Sequence, residues 1–412
     1  MYALNECLKI LLSIRFMTTI SEVEPYIVYK PGEEGSAPWA SYVMLVKVIT
    51  KDGRVGWGET LSSIRVNAVA QMVKVLASVM RGRDVFNLEG NRLEWYRQDF
   101  NMPISLESTA AYSAFDIASW DIIGKELGAP VHKLLGGLTR DRIRVYANGW
   151  YEGARKPEDF AEKARETTRR GYTALKFDPF GQYFDTIDAV GIREATERVR
   201  AVREAVGDSV DILIEAHGRF NAESAIRVAL ALEDYNPLFI EEPVHPEDIE
   251  GLLRFKASTR IRVALGERVI NKGHLLQYLK LGLVDYLQTD LGRFGGLTEA
   301  RKASAIAEAF SVPMAFHNAN GPILHSATLQ LDAAVPNFAV QESFYDYWPQ
   351  WKRNLISDPI PVENGYVKVP TKPGLGVDVN EKLIEELKVS EAEVITKGGL
   401  SWAVKGTVGG YS

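Results

Sequence analysis

Seven ionisable residues recur along the chain at intervals too regular for scattered surface charge. Lys176 lies near the end of a short apolar run, and Glu215, Glu241, Glu267, Asp290, His317 and Glu342 each close, or closely follow, one. From Glu215 onward they stand 26, 26, 23, 27 and 25 residues apart. One strand–helix unit of a barrel has that length, since eight units fill about 250 residues, and barrel enzymes keep their chemistry at the C-terminal strand ends. Three acids on successive strand ends would repel one another and raise each other's pKa unless a cation stabilised their ionised forms. Carboxylate oxygens select a hard ion, and Mg²⁺ keeps positions open for substrate or water. Glu215, Glu241 and Glu267 are therefore the expected ligands of a magnesium ion. Asp290 beside His317 would orient the imidazole and make it a proton acceptor near neutral pH. His217, two residues past Glu215, would share its side by strand alternation and serve as an acid for a leaving hydroxyl. His245 can reach the site from a loop, while His132, His274 and His325 read as surface or satisfied core. The bland alternative is a ring of rim charges in ion pairs. Three acids in phase, followed by Asp and His in phase, favour a site.

The elements that must position these residues are legible as short β-branched runs between amphipathic helical stretches. The runs are Arg144–Ala147, Ala174–Phe177, Ile212–Ile214, Leu238–Ile240, Val263–Leu265, Tyr286–Leu287, Pro313–Phe316 and Ala339–Val340. Helices are expected over Pro157–Arg170, Arg193–Val206, Ala222–Glu233, Lys272–Leu279 and Thr298–Ala309. Sustained strand–helix alternation means parallel strands with crossover helices, and eight strands point to a closed barrel. Ahead of it, Ile20–Tyr29, Ser41–Thr50 and Arg54–Glu59 read as strands, with a hairpin at Lys51-Asp52-Gly53. Asn67–Met80 and Ser108–Leu127 read as helices, the second stopped by Gly128 with Pro130 beyond. The expected division is an α+β capping domain over residues 17–141, a barrel over 142–350, and a C-terminal segment, 351–412, that returns to the cap.

The chain has 412 residues, 46% hydrophobic and 25% charged, with a net charge of −6. That balance excludes a nucleic-acid binder, which needs clustered Lys and Arg. With one cysteine, Cys7, neither an internal disulfide nor a Cys-based zinc site can form. No apolar stretch reaches the ~20 residues of a membrane span. Residues 1–16 lack the basic start and cleavage site of a secretory signal and are expected to be a dispensable extension before Met17. A cytoplasmic protein with no membrane partner is the expectation.

Several stretches together carry a family resemblance. They are Trp57-Gly58-Glu59-Thr60, Ala114-Phe115-Asp116-Ile117-Ala118-Ser119-Trp120-Asp121, Leu134-Leu135-Gly136-Gly137, Glu215-Ala216-His217-Gly218-Arg219, Ile240-Glu241-Glu242-Pro243 and Ala315-Phe316-His317-Asn318. The chain resembles the enolase superfamily, in its mandelate racemase-like branch. Within it the chain looks especially like the gluconate and galactonate dehydratases, and the segments Asn148–Tyr151, Ala174–Gly181 and Ser343–Arg353 look particularly like gluconate dehydratase. The resemblance implies a capping domain over a (β/α)₇β TIM-like barrel, Mg²⁺ on Glu215, Glu241 and Glu267, and a homo-oligomer, dimer or octamer. It further implies that His317, paired with Asp290, removes the proton beside the substrate carboxylate and that His217 protonates the departing 3-hydroxyl. Lys176 and Glu342 would contact the carboxylate and its enediolate form, with Asp178, Arg219, His245 and Asn318 completing the substrate contacts. Glu215 departs from the Asp more common at the first ligand position, which lengthens the ligand without changing its chemistry.

A second departure separates reactions within the branch. Racemases of this kind carry Lys-x-Lys on the second strand, the later Lys returning a proton to the opposite face. Here the stretch reads Lys176-Phe177-Asp178. Without that second base, and with His217 as an acid, the expectation is Mg²⁺-dependent dehydration of D-gluconate or D-galactonate to the 2-keto-3-deoxy acid. The rival from the same chemistry is a racemase, epimerase or cycloisomerase. The rival from another class is a barrel kept as a non-catalytic binding protein, which would show a broken constellation. Substrate choice is expected to rest on loops 32–39 and 61–65.

Overall fold

The computed structural model describes residues 18–30, 41–61, 65–98, 100 and 104–396. The expected N-terminal extension and loop 32–39 lie outside them, as does most of loop 61–65.

Alternating β-branched and aromatic residues form β1 (Ile20–Tyr29), β2 (Tyr42–Thr50) and β3 (Val55–Thr60), an antiparallel meander. Gly53, at φ +84°, makes the β2–β3 turn. Helices α1 (Val66–Met80), α2 (Leu88–Gln98) and α3 (Leu106–Glu126) follow. Ser105 caps α3 by accepting the Ser108 N–H, and Gly128, at φ +61°, stands just past its end. The apolar faces of α1 and α3 pack on the sheet in a core of Val46, Val48, Val69, Leu76, Phe115 and Ile122.

The barrel then runs β4 (Arg142–Ala147), α4 (Pro157–Arg169), β5 (Ala174–Phe177), α5 (Ala189–Val206), β6 (Asp211–Glu215), α6 (Ala222–Leu232), β7 (Phe239–Glu241), α7 (Ile249–Ser258), β8 (Val263–Leu265), α8 (Lys272–Lys280), β9 (Tyr286–Leu287), α9 (Gly296–Ala309), α10 (Pro322–Ala334) and β10 (Gln341–Ser343). Its strands pair in parallel in the order β10-β4-β5-β6-β7-β8-β9. The expected run Pro313–Phe316 forms isolated parallel bridges instead of a full strand: Met314 bridges Leu287 on one side and Phe338 on the other. Those bridges supply the eighth position and close the ring, giving the expected (β/α)₇β barrel.

Pleat alternation sets what faces the barrel axis. Tyr146, Ala174, Leu213, Phe239, Ala264, Ala315 and Val340 form one apolar cluster of their own. Two residues beyond five of them stand Lys176, Glu215, Glu241, His317 and Glu342. The same inward side is thus apolar below and ionisable at the mouth. Glu267 breaks the rule, falling three past Ala264. Gly266 intervenes at φ +147°, where a Cβ would lie 2.6 Å from the backbone carbon of Gln288. That glycine lets the chain press on β9 and re-aims Glu267.

The C-terminal segment serves both layers. β11 (Tyr366–Lys368) pairs antiparallel with β4 of the barrel. Leu375 N–H reaches Asp121 of α3 at 3.1 Å. After α11 (Glu381–Leu387), β12 (Lys388–Val389) joins the edge of β1. No helix among the described residues is long and apolar enough to cross a membrane.

Candidate active site

Lys176, at the end of β5, is 1% exposed and carries the centre of the site. Its Nζ lies 3.0 Å from Glu215 Oε2, 2.5 Å from Glu241 Oε2 and 2.8 Å from Glu342 Oε1. Glu215 and Glu241 are register partners on β6 and β7, so their Cα atoms are side by side. Burial lowers the affinity of Lys176 for its proton, but Glu241 and Glu342 outweigh that and hold it charged, well above the usual lysine range. Burial and then Glu215 push the Glu241 carboxyl up to about 8, with Lys176 pulling against them. Glu241 Oε2 also accepts from Gln288 Nε2 at 2.7 Å, while Oε1 is buried with no hydrogen-bond partner. Glu342 is fixed from both sides, by Asn148 Nδ2 and by the Asn318 N–H, each at 2.8 Å.

The expected imidazole–carboxylate pair is present. His317 Nδ1 lies 2.7 Å from Asp290 Oδ2, and Asp290 is fully buried. Gly292 N–H donates to Asp290 Oδ1 at 2.7 Å and Asn320 Nδ2 reaches Oδ2 at 3.3 Å. His317 Nε2 is 2.8 Å from Glu267 Oε2. Burial disfavours the imidazolium, but Glu267, then Glu342 and the Asp290 bond, raise it to about 10. Arg268 binds Glu267 and Glu242, and Arg293 Nη1 donates to the Glu267 carbonyl at 3.1 Å.

His217 reaches the site by a different route from the one expected. β6 ends at Glu215, and His217 sits in left-handed backbone at φ +54°, so strand alternation does not place it. The turn is held by its own N–H, which donates to Glu215 Oε1 at 2.7 Å. Its Nδ1 is 3.1 Å from Asp178 Oδ2 and 3.1 Å from Arg219 Nη2, and the side chain is a third exposed. Asp178 and Arg219, expected against substrate, are buried and bonded to each other, and Arg219 also donates to the carbonyls of Ala216 and Gly181. Both address His217. His245 stands at the rim, its Nε2 3.2 Å from Asp185 Oδ1 and its Nδ1 2.9 Å from the Gly218 carbonyl. His132 is a satisfied core residue on Gln330, as read from sequence.

As placed, Glu215 and Glu241 turn to Lys176, and Glu267 turns to Arg268 and His317. Among the described residues no group of three or more acids, imidazoles or thiols is arranged to hold a metal ion. The donor chemistry nonetheless suits a hard cation. Glu241 keeps a buried oxygen without a partner and a carboxyl pushed far up by burial and by Glu215, with Glu342 and Glu267 adding to it. A divalent ion relieves that stress.

Sequence reasoning missed the residues that hold these groups: Asn148, Gln288, Arg268, Arg293 and Asn320. Two had a local signal. Arg268 directly follows Glu267, and Arg293 is three past Asp290. Gln288 and Asn320 look like ordinary amides until the fold closes.

Fold and mouth together define a capped parallel barrel with ionisable side chains on successive strand ends. Comparison with known proteins agrees. The description "Enolase C-terminal domain-like" matches residues 159–383, and the mandelate racemase / muconate lactonizing enzyme N-terminal domain matches residues 34–136. A D-gluconate dehydratase of Thermoproteus tenax is 50% identical over 393 residues, covering 95% of this chain and 79% of that protein. A D-gluconate/D-galactonate dehydratase of Picrophilus torridus is 46% identical over 391 residues, covering 95% of this chain and 100% of that protein. The crystal structure of a mandelate racemase/muconate lactonizing enzyme from Sulfitobacter superposes with a TM-score of 0.84 at 32% identity, covering 90% of this chain and 96% of that one. The chain belongs to the enolase superfamily, in its mandelate racemase/muconate lactonizing enzyme group. Members of this superfamily generally use a divalent metal ion.

Proposed function

We propose that the protein is a hydro-lyase that dehydrates a sugar acid, D-gluconate and D-galactonate being the candidates, to the 2-keto-3-deoxy acid with Mg²⁺ as cofactor. The observation that carries this is the contact of His317 with Asp290 at 2.7 Å on strand ends beside the Lys176 cluster of carboxylates. The dehydratases that match nearly the whole chain support the reaction class.

Glu215, Glu241 and Glu267 would hold the ion, Glu267 by turning from Arg268. Mg²⁺ supplies Lewis-acid stabilisation for the charge that builds on the substrate carboxylate. Lys176, held charged by its carboxylate partners, gives that growing charge a second buried cation, and stabilisation confined to the transition state lowers the barrier. His317 takes the α-proton, with Asp290 fixing the ring through Nδ1. The base must be neutral, and engaging Glu267 elsewhere removes the carboxylate that contributes most to holding its proton. His217 protonates the departing 3-hydroxyl: as the imidazolium it donates its Nδ1–H to Asp178 Oδ2, 3.1 Å away, and gives up the proton on Nε2. Glu342, pinned by Asn148 and Asn318, shapes the carboxylate subsite. Asp178 and Arg219 act through His217, while His245 and Asn318 border the substrate. Among the described residues, 18–141 act as the cap over the 142–350 barrel, and the segment from 351 joins both, through β11 on β4 and β12 on β1. By likeness to the family we assign a homo-oligomer, dimer or octamer, and a cytoplasmic location; sedimentation checks the first and cell fractionation the second.

The test is a panel of sugar acids with Mg²⁺, read as 2-keto acid by semicarbazide, with parallel incubation in D₂O. A 2-keto acid from gluconate or galactonate, lost with EDTA and restored by Mg²⁺, is expected. Deuterium in recovered substrate without any 2-keto acid would turn the reading to a racemase or epimerase.

A further inference from the structure

Glu59 and Thr60 end β3 of the cap, yet both are fully buried and both spend their side chains on the barrel. Helix α10 starts with Gly321 and Pro322 and has no side-chain cap of its own. Glu59 supplies one from across the seam: its Oε2 accepts the N–H groups of Ile323 at 3.1 Å and Leu324 at 2.9 Å. A Cβ on Gly321 would lie 2.6 Å from Glu59 Oε1, so the carboxylate is seated against bare backbone. Thr60 Oγ1 donates to the Gly292 carbonyl. The same Gly292 gives its N–H to Asp290 Oδ1 at 2.7 Å, and a Cβ there would stand 3.1 Å from both Asp290 Oδ1 and Thr60 Cα.

These contacts reach Asp290 from two directions. Thr60 fixes the turn behind Oδ1. Glu59 fixes the helix start directly after Asn320, whose Nδ2 reaches Oδ2. Oδ2 in turn sets His317 Nδ1. Burial pushes Glu59 up to about 7, with the α10 amides and the buried Lys352 ammonium pulling against it.

We propose that Glu59 and Thr60 are positioning residues for the His317–Asp290 pair, so that the cap domain aims the proton-abstracting group. This rests on His317 being the base. Misplacing a reacting group by ~1 Å can cost about 10²-fold, so a loosened brace should appear in kcat with little change in KM.

Thr60→Val keeps the side-chain shape and removes one donor; Glu59→Gln keeps an acceptor oxygen and removes the charge. Asp121→Asn is the control, since Asp121 bonds Trp57 and Leu375 in the same seam and touches nothing around Asp290. Thr60→Val and Glu59→Gln should lower kcat about tenfold to a hundredfold. KM and the Mg²⁺ half-saturation should stay within about twofold, and α-proton exchange should fall in step with turnover. Asp121→Asn should lower Tm and leave kcat as it was. On the substrate-free protein, amide hydrogen exchange over 290–292 and 318–324 should speed up in the first two variants and not in the third. Unchanged exchange there, or an equal kcat loss in Asp121→Asn, overturns the proposal. A wild-type protein that turns over no sugar acid would sink the function proposed above, while the exchange measurement would still decide the brace.

Discussion

At the seam between cap and barrel, Glu59, Asp116 and Asp121 are buried carboxylates that each accept backbone N–H groups from another element. Glu59 takes Ile323 and Leu324, Asp116 takes Thr298 at 3.0 Å, and Asp121 takes Trp57 and Leu375. At the mouth, Glu215, Glu241 and Glu267 are just as buried but are met mainly by side-chain cations, Lys176, Arg268 and Arg293. Backbone donors cannot move without moving an element, so the seam acids are fixed. Side-chain cations can swing away, so the mouth acids can exchange partners. Burial alone therefore does not separate a fixed acid from an exchangeable one; the kind of partner does.

That contrast has measurable consequences. The largest belongs to the mouth: Glu241→Gln or Glu267→Gln should cut Mg²⁺-dependent turnover by about 10²- to 10³-fold or more while circular dichroism shows an intact fold. Unchanged turnover would remove these two from the ligand set. Next, His317→Asn should abolish α-proton exchange in D₂O, whereas His217→Asn should keep exchange and lose dehydration, by about 10²- to 10⁴-fold. Identical behaviour in both would leave no division between base and acid.

At the seam, Asp116 should answer in stability. Burial raises Asp116 to about 7, so the folded state holds its proton more tightly than the unfolded chain does. Its stabilising contribution is complete below the ordinary carboxylate range and is lost as pH rises through about 7. Asp116→Asn keeps an acceptor for the Thr298 N–H and cannot ionise. Its Tm relative to wild type should therefore rise from about pH 4 to pH 8, by roughly 1 °C for each kcal/mol recovered. A difference independent of pH would show that Asp116 does not titrate in this window. Smallest of all, Arg170→Ala removes the exposed Arg170–Glu166 pair on α4, and stability should change by no more than about 0.5 kcal/mol in a denaturant titration.

Much of the site was legible because strand-end residues are marked by type and phase. Lys176, Glu215, Glu241, His317 and Glu342 follow from pleat alternation, and so does the apolar plug beneath them. The helices that escaped notice escaped for physical reasons. α10 is buried on every side, so it has no solvent-facing side to set an amphipathic period. α2 buries only Asn91 and Trp95 and shows almost no apolar stripe. His217 stands beside Glu215 as strand alternation predicts, but the strand ends at Glu215 and a left-handed turn places it there.

By itself the sequence determined the order of the strands, the number of barrel positions and which ionisable groups share the mouth, because those depend on local period and on repeat length. Only the tertiary structure decided which cation each acid meets and which backbone amides it caps. Glu59 stands 265 residues from Leu324 and Glu381 stands 334 from Lys47, and no local rule connects them before the cap closes on the barrel.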